Sequence, residues 1–417
     1  MSAWWLYKYS VISSAMNDKT PKYHPDQGLP MSLVVLLAVL AGVSVANIYY
    51  CQPLLNLIRN DLSMSEFWVN LMPVMAQVGY ATGLLLIIPA GDLFNRRTTI
   101  LACFTMLVAS LSVCALSFNA AMLLSASLVV GVCSVAPHLF MPFVSRFSKP
   151  DQKARMVGYV LAGLLMGILL SRFVSGWIGL WMGWRAMYVI AAALAAVGAC
   201  VAWMRFPYVT PSYQGTYGGL LRSVFSLMRE YPQCVRYSLR AALCFASFFG
   251  LWACLTFRMG QAPFYEGSDT VGMLALLGGV GVLSAMKAGK MIHRYGTERF
   301  HTIGVIMIAT AWIEMLFLDD TYFGIIFGIV AIDIGLQFVQ LANQTATMSL
   351  CSEASSRLNT IFMTSNFTGA FVGTFLAGTL WAFFGWQGTV ASGLILLAVS
   401  VCITAFWKLP DPKNQKR

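Results

Sequence analysis

The chain has 417 residues, of which 58% are hydrophobic and 10% charged, and its formal net charge is +11. A soluble protein of this size does not hide so much apolar surface, so the composition excludes a soluble globular fold and indicates a membrane protein. The positive charge needs no nucleic-acid partner, because an anionic inner leaflet attracts basic loops equally well.

The segment before the first apolar run, residues 1–30, is predicted to be a cytoplasmic tail. No stretch in it matches a cleavable signal peptide. Its aromatic residues suit an amphipathic anchor at the membrane surface, whereas translation starting at Met16 or Met31 would remove most of the segment.

Apolar segments then recur along the whole chain. A helix crosses the hydrocarbon core with about 20 residues, and the charge-free runs 98–145 and 358–407 are each long enough for two helices joined by a tight turn. Since the bilayer core offers the backbone no water, helices are favoured, and the alternation typical of a β-barrel is not seen. We therefore predict an all-α membrane protein with twelve transmembrane helices. They fall at 31–55, 67–89, 98–117, 121–143, 156–179, 184–204, 238–257, 270–287, 300–318, 321–346, 359–383 and 386–407.

A polar interval at 205–237 separates two groups of six spans. It begins with prolines and glycines and continues with Arg222, Arg229 and Arg236, which predicts a cytoplasmic linker with a short basic helix along the lipid interface. The even number of spans on each side predicts two six-helix bundles of the same orientation, at 31–204 and 238–407, with a cytoplasmic tail at 408–417.

The two bundles repeat each other in register. Five residues recur 202 positions later: Arg155, Gly167, Gly176, Gly183 and Trp184 match Arg357, Gly369, Gly378, Gly385 and Trp386. Upstream, Gly91 and Arg96 match Gly289 and Arg294 at a spacing of 198. Both sets fall at the ends of apolar spans, which indicates a duplicated helical bundle, and such bundles usually move solutes.

The distribution of basic residues predicts the orientation. With the N-terminus in the cytoplasm, only Arg59, Arg185 and Arg258 fall in outer loops. This asymmetry follows the positive-inside rule and predicts a multi-pass protein of the bacterial inner membrane with both termini cytoplasmic.

The loop after the second span reads PAGDLFNRR from Pro89 to Arg97. It resembles the Gly-x-x-x-Asp-Arg-x-Gly-Arg signature of the major facilitator superfamily, with Asn95 in place of the usual acid and a shortened end. The loop at 289–296 resembles a degenerate second copy. The resemblance implies two parallel-repeat bundles around a central cavity and a gating loop, against the alternative that its arginines only anchor the topology. The gating residues are then Gly91, Asp92, Arg96, Arg97, Gly289 and Arg294.

The fifth span carries Gly163 and Gly167 and is similar to the Gly-x-x-x-Gly-Pro signature of drug:proton antiporters, with Ile168 in place of the proline. Together with residues 46–53, it resembles bacterial drug and metabolite efflux members. The resemblance implies a secondary active transporter that moves a small organic solute by alternating access, as proton-coupled efflux. A uniporter, and an uptake symporter for a sugar or an amino acid, are the alternatives.

Asp333 is the most telling charge inside a span. At about 1.5 Å per residue it lies roughly 18 Å from the outer end of its helix, near mid-membrane. Gln337, Gln340 and Gln344 follow on the same helical face. Because an ionised acid at mid-membrane costs about 2.5–3.5 kcal/mol, this face is predicted to line an aqueous cavity, with Asp333 as a proton carrier. The alternative is a hydrogen bond from Asp333 to a neighbouring helix.

The superfamily surrounds its cavity with the first, fourth, seventh and tenth helices. The resemblance therefore adds polar and aromatic candidates, with His138 also compatible with a packing role: Asn47, Tyr50, His138 and Trp252. Two further intramembrane charges, Arg172 and Glu314, lie nearer the outer ends of their helices and are predicted to be structural, unless Arg172 pairs with an acid inside the bundle.

Other functions find little support in the sequence. It has no phosphate-binding Gly-x-x-x-x-Gly-Lys-Ser/Thr run, its four histidines are scattered, and it lacks a CxxC pair, so no metal or cofactor is expected. A membrane-embedded enzyme and a transporter-like receptor stay as remote alternatives. The predicted partners are a small-molecule substrate, protons and membrane lipid, with the chain as a monomer. The intramembrane acid favours a cationic or neutral cargo, and the amides suit a sugar or an amino acid.

Overall fold

The computed structural model describes residues 24–206, 216–351 and 354–407. The predictions for residues 1–23, for the proline- and glycine-rich start of the linker and for the C-terminal tail fall outside them. The described residues form fifteen helices. In chain order these are α1 (Met31–Ala46), α2 (Cys51–Asp61), α3 (Glu66–Leu93), α4 (Arg96–Ala115), α5 (Ala120–Cys133), α6 (Pro137–Phe147), α7 (Lys153–Met182), α8 (Trp184–Arg205), α9 (Tyr217–Glu230), α10 (Pro232–Met259), α11 (Ser268–Ala275), α12 (Gly278–Tyr295), α13 (Thr297–Phe317), α14 (Tyr322–Met348) and α15 (Ser355–Phe406).

These helices give the predicted all-α membrane fold. Eleven apolar segments of the described chain are long enough to cross a membrane, and the last of them has 50 residues. Gly385, with φ 58° and ψ −142°, divides α15 into two helices, which brings the crossings to twelve. Three crossings consist of two shorter helices: α1 with α2, α5 with α6, and α11 with α12.

The seventh span begins earlier than the sequence suggests, at Pro232 rather than at residue 238. Pro232 occupies the first turn of the helix, where its missing N–H costs no hydrogen bond. Arg240, near the start of this span, needs no aqueous loop. Its side chain is fully buried, donates 2.7 and 3.0 Å hydrogen bonds to the Glu298 carboxylate at the start of α13, and donates a 2.5 Å bond to Asn343 of α14. The buried arginine is therefore paired within the C-terminal half, as a charge inside the membrane needs to be.

The repeated glycines occupy equivalent places in the two halves. A Cβ on Gly167 would lie 2.4 Å from the Cα of Gly42 in the first span, and one on Gly369 would lie 2.2 Å from the carbonyl oxygen of Ala242 in the seventh span. Gly183 and Gly385 both have positive φ and form the next turn of each half. The repeated glycines therefore lie where two helices are in close contact or where the chain turns tightly, and these positions require glycine.

A second repeated pair, Gly176 and Gly378, lies where the halves meet. A Cβ on Gly176 would lie 2.3 Å from the carbonyl oxygen of Ser268 in the eighth span, and one on Gly378 would lie 1.5 Å from the Asn70 amide nitrogen in the second span. The fifth span thus packs on the eighth, and the second on the eleventh. This is the pseudo-symmetric contact expected of two parallel repeats.

We call the bundle end that carries α9 the linker end, and the opposite end the distal end. Hydrogen bonds join the two halves in the distal part of the described structure. They are Asn56 to the Thr256 carbonyl (2.8 Å), Thr256 to the Gln52 carbonyl (2.7 Å), Ser268 to the Gly176 carbonyl (2.9 Å), Trp381 to Glu66 (2.8 Å) and Asn70 to the Thr374 carbonyl (3.3 Å). The protein is therefore closed at the distal end.

At the linker end, α9 contacts both halves. The Tyr217 hydroxyl donates a 2.8 Å bond to the Leu86 carbonyl of the second span. On its other side, Val224 and Leu227 pack into an apolar cluster that includes Leu358 of the eleventh span. The linker helix thus lies across the two halves at this end.

Candidate functional site

The centre of the bundle holds an arginine between aromatic rings of both halves. Arg172 of α7 is 4% exposed, and its guanidinium carbon lies 4.7 Å from the ring centroid of Tyr49 and 4.4 Å from that of Trp252. Its Nε donates a 2.6 Å hydrogen bond to Oε1 of Gln52. Tyr49 and Gln52 belong to the first span and Trp252 to the seventh, so Arg172 does not reach the membrane interface but joins the halves by cation–π contacts.

Asp333 supplies the opposite charge. Asp333 lies on α14, is 7% exposed and packs on the backbone of α12. A Cβ on Gly278 would lie 3.5 Å from Oδ1 of Asp333, and a Cβ on Gly281 would lie 3.1 Å from the Cβ of Asp333. Leu169, three residues before Arg172 on α7, packs against the same Gly278 as the Asp333 carboxylate, but the charged atoms of Asp333 and Arg172 are more than 4.0 Å apart. The site therefore contains one buried positive and one buried negative group, and the two are not in direct contact.

Several polar atoms of this cluster have no hydrogen-bond partner among the described residues. Three are donors, the Nη2 of Arg172, the Nε2 of Gln52 and the Nε1 of Trp252, and one is an acceptor, the Oδ2 of Asp333. Burying such a group without a partner costs about 1–3 kcal/mol. The cluster thus presents donors around a cation and an acceptor on a nearby anion, which is an arrangement suited to a polar ligand.

Aromatic side chains extend the site toward the linker end. Tyr49 stacks on Phe249 at 6.0 Å between ring centroids, Phe249 lies 6.3 Å from Phe367, and Phe367 lies 4.2 Å from Tyr80. The Tyr80 hydroxyl shares a 3.0 Å hydrogen bond with Nε2 of His138. His138 is therefore linked to the site through Tyr80 and an apolar wall that both halves build.

Two sequence candidates of the first span lie inside the N-terminal half. Asn47 donates to the carbonyls of Val43 and Ser44, where α1 ends, and the side chain of Tyr50 is buried. Asn47 and Tyr188 line a small cavity of about 10 Å³ within this half, which has room for about one water molecule. The tyrosine that contacts Arg172 is Tyr49 and not the predicted Tyr50, because the short interruption between α1 and α2 determines which side chain faces the centre.

The glutamines that follow Asp333 contact the eleventh span. Asn366 donates a 3.0 Å bond to Oε1 of Gln340, and Gln344 donates a 2.9 Å bond to Oδ1 of Asn359. Gln337 is half-buried. The amide stripe therefore serves in part to hold α14 against α15, while Asp333 faces α12.

The proposed gating loop makes its described contacts within its own half. A Cβ on Gly91 would lie 2.4 Å from Leu139 of the fourth span, Arg96 donates a 3.4 Å bond to the Gly91 carbonyl, and Arg97 donates to the Trp203 carbonyl near the end of α8. Arg97 therefore binds the C-terminal end of a helix of its own half, where a positive charge is favoured.

The remaining gating candidates contribute less to the described structure. The side chain of Asp92 lies outside the description. Gly289 would admit a Cβ without contact, and Arg294 is exposed and lies over the ring of Tyr295 at 5.5 Å.

Glu314 lies apart from this cluster, on α13. It is half-buried, and neither carboxylate oxygen has a hydrogen-bond partner among the described residues. Within the described part of the chain, no group of three histidine, cysteine or acidic residues is placed to hold a metal ion.

Sequence reasoning selected Trp252, Asp333 and Arg172 individually, but Tyr49 was missed. Its only sequence signal is its position beside Gln52 in the first span. The four residues come together through contacts between four spans that are far apart in sequence.

Comparison with known proteins identifies the class. The family model described as Major Facilitator Superfamily matches residues 34–367, so the chain belongs to this superfamily and is a multi-pass membrane transporter of a small solute. It is 30% identical over 384 residues to the uncharacterized transporter YgaY of Escherichia coli O157:H7, covering 92% of this chain and 97% of that protein. It is also 30% identical over 362 residues to the probable transporter SCO4007 of Streptomyces coelicolor, covering 85% of this chain and 83% of that protein.

Solved structures agree with this fold. A bacterial homologue of the human lysosomal transporter Spinster, in an inward-facing and unoccupied conformation, aligns with a TM-score of 0.73 at 17% identity and covers 90% of this chain and 96% of that one. The nucleoside transporter NupG aligns with a TM-score of 0.69 at 15% identity, covering 91% and 100%.

Proposed function

We propose that the protein exports a small organic solute across the bacterial inner membrane in exchange for protons. The observation that carries the proposal is the central charge pair: Arg172 lies between aromatic rings of the two halves, and Asp333 lies beside it. Any movement of one half against the other changes the surroundings of both charges. A site with this property is suited to couple binding to alternating access.

Asp333 is the proposed proton carrier. A protonated Asp333 loses its attraction to Arg172, whereas the ionised form regains it. Because Arg172 contacts Gln52 and Tyr49 of one half and Trp252 of the other, the proton at Asp333 acts on the contacts that join the halves. Protonation therefore biases the equilibrium between the two conformations, which is what coupling requires.

The orientation follows from the charge distribution. The basic loops and the linker lie at the linker end, which we assign to the cytoplasm by the positive-inside rule. The distal end then faces outward, and its hydrogen bonds between the halves make the described conformation closed to the outside. Arg97 donates to the Trp203 carbonyl of its own half, and we propose that Arg96 and Arg97 form contacts between the halves when the linker end closes.

Inverted membrane vesicles with an imposed proton gradient and a fluorescent ΔpH probe test this proposal. Cationic drugs, sugars and amino acids are added to wild type, to Asp333→Asn and to the matched control Glu314→Gln, which removes the other intramembrane acid. We expect a compound that collapses the gradient with wild type and Glu314→Gln but not with Asp333→Asn.

The other outcomes separate the alternatives. Collapse by Asp333→Asn equal to wild type would show that Asp333 is not the proton carrier. Transport of a labelled compound with no movement of protons would favour a uniporter, and cotransport of substrate and protons in the same direction would favour an uptake symporter.

A further inference from the structure

We infer that the central site binds a zwitterion, with one carboxylate and one ammonium group on an apolar body, as in an apolar amino acid. The inference rests on the proposed function in so far as it takes this cluster as the transport site. It is argued from the unpartnered atoms of the cluster and from its charge balance.

The donors define where the carboxylate binds. The Nη2 of Arg172, the Nε2 of Gln52 and the Nε1 of Trp252 are buried and have no hydrogen-bond partner among the described residues. They belong to side chains in mutual contact, since Arg172 lies 2.6 Å from Gln52 Oε1 and 4.4 Å from the ring of Trp252. A carboxylate has about four lone-pair sites and satisfies several such donors at once.

The acceptor defines where the ammonium binds. The Oδ2 of Asp333 is buried and has no hydrogen-bond partner among the described residues. A Cβ on Gly278 would lie 3.5 Å from Oδ1 of Asp333 and 3.6 Å from Leu169, which precedes Arg172 by three residues on α7. The carboxylate therefore lies beside the helix that carries the guanidinium, and no ion pair within 4.0 Å occupies the two charges, so both are open to one ligand. An ammonium group donates to such a carboxylate oxygen with a charge-assisted hydrogen bond.

Charge balance favours a ligand with both groups over a ligand with one. A simple anion would place two negative charges, its own and that of Asp333, around one Arg172. A simple cation would place two positive charges around one Asp333. Both additions leave a buried charge without a counter-charge, which is strongly unfavourable, whereas a zwitterion keeps the site neutral.

The neighbouring side chains fit an apolar body. Phe249 and Phe367 follow Tyr49 toward the linker end, with Trp252 on the other side of the guanidinium. Rings of both halves thus border the charged cluster, and an apolar side chain of the ligand gains from contact with them.

This ligand class also accounts for exchange with protons. The ammonium and a proton compete for the carboxylate of Asp333, so binding of the solute favours release of the proton. The other titratable groups at this end of the first span are Tyr49, whose ring contacts the guanidinium, and Cys51, and both are buried. Competition at one acid is the condition for antiport, because the two ligands are then carried in alternate steps.

Matched ligand series test the inference on the purified protein in lipid nanodiscs, with affinity taken from the ligand-dependent shift of the thermal unfolding midpoint. One series is phenylalanine, 3-phenylpropionate and 2-phenylethylamine, and the other is leucine, 4-methylpentanoate and 3-methylbutylamine. We expect at least one zwitterion to bind about tenfold or more tightly than both of its singly charged analogues, since each analogue leaves a buried charge unpaired.

Variants assign each charge. Arg172→Gln should bind the zwitterion about tenfold more weakly than wild type does, and should bind the amine at least as tightly. Asp333→Asn should bind the zwitterion more weakly than wild type does, while its affinity for the acid should not fall. Trp252→Phe keeps an aromatic ring but removes the indole donor, and it should lower the affinity for the zwitterion by about threefold to tenfold. This variant replaces Arg172→Gln as the test of the carboxylate site if Arg172→Gln does not fold. Trp181→Phe, at an exposed tryptophan of the same helix as Arg172, should leave the affinity unchanged.

The inference is wrong if, in both series, a singly charged analogue binds as tightly as its zwitterion, or if no compound of either series shifts the midpoint. The assay needs no proton gradient, so its outcome is separate from that of the proposed function. Selective binding of phenylalanine without collapse of a proton gradient would support the zwitterion site and refute proton coupling. If only a simple amine collapses the proton gradient, proton coupling is supported and the zwitterion site is refuted.

Discussion

Adding one methyl group at Gly176 should open the distal end. The Cβ of Gly176→Ala would lie 2.3 Å from the carbonyl oxygen of Ser268, an atom of the backbone of the eighth span. A real Cβ needs about 1 Å more, so the fifth and eighth spans must separate, and the hydrogen bond from Ser268 to the Gly176 carbonyl weakens. Because these spans belong to different halves, the strain falls on the contact between the halves.

The size of the effect follows from known core substitutions. Overpacking by one methyl group costs about 1–3 kcal/mol, and the conformation in which the distal end is open avoids this strain. The ratio of open to closed molecules should therefore rise by about 5- to 150-fold. Gly158→Ala on the same helix is the matched control: it gains the same helix propensity, but its Cβ meets no atom within 4 Å.

Spin-label distances measure the shift. Labels at Phe118→Cys and Asp320→Cys lie in exposed distal loops of the N- and C-terminal halves, in a background where the accessible cysteines 200, 351 and 402 are replaced by serine. Gly176→Ala should lengthen the distances relative to wild type, and Gly158→Ala should not. Identical distributions for the two alanine variants would refute the reasoning.

Three further predictions concern the same end of the protein. Gly378→Ala should shift the spin-label distances in the same direction but less, because the atom it meets is the end of an amide side chain that can rotate away; a larger shift than that of Gly176→Ala would contradict this. Trp381→Phe removes a 2.8 Å bond between the halves to the Glu66 carboxylate and should raise the open fraction about fivefold in the same assay, whereas an unchanged fraction would show that this bond contributes nothing. The Tyr322 hydroxyl donates to Glu266 and lowers the pKa of that carboxyl, so this bond stabilises the fold above the ordinary pKa of a glutamate and the stabilisation is lost as the pH falls through the lowered value. Tyr322→Phe should therefore lower the unfolding midpoint at neutral pH and match wild type in acid; an equal difference at both pH values would contradict the assignment.

The sequence by itself determines the class of fold. Apolar runs of membrane-spanning length and the 202-residue repeat predict two six-helix bundles, because a helix is the element that satisfies its own backbone in lipid and because periodicity is visible along the chain. The repeat also marks positions with one physical need: Gly176 and Gly378 allow helices to touch, and Gly183 and Gly385 adopt positive φ.

The sequence also identifies charged residues that need a partner inside the membrane. An intramembrane acid such as Asp333 is unusual enough to be noticed without a structure. The same reasoning places Arg172 as a structural charge near the outer end of its helix, because a long side chain near a helix end normally reaches the interface. The distance to an interface is readable from the sequence, but the direction in which the side chain points is not.

Only the tertiary structure decides which residues form the central cluster. Tyr49 and not Tyr50 meets Arg172, since the interruption between α1 and α2 rotates the chain by an amount that no periodicity reveals. Trp252 and Asp333 join them from the seventh and tenth spans. Such contacts depend on how separate helices pack, and residues far apart in sequence carry no local signal of which neighbour they will face.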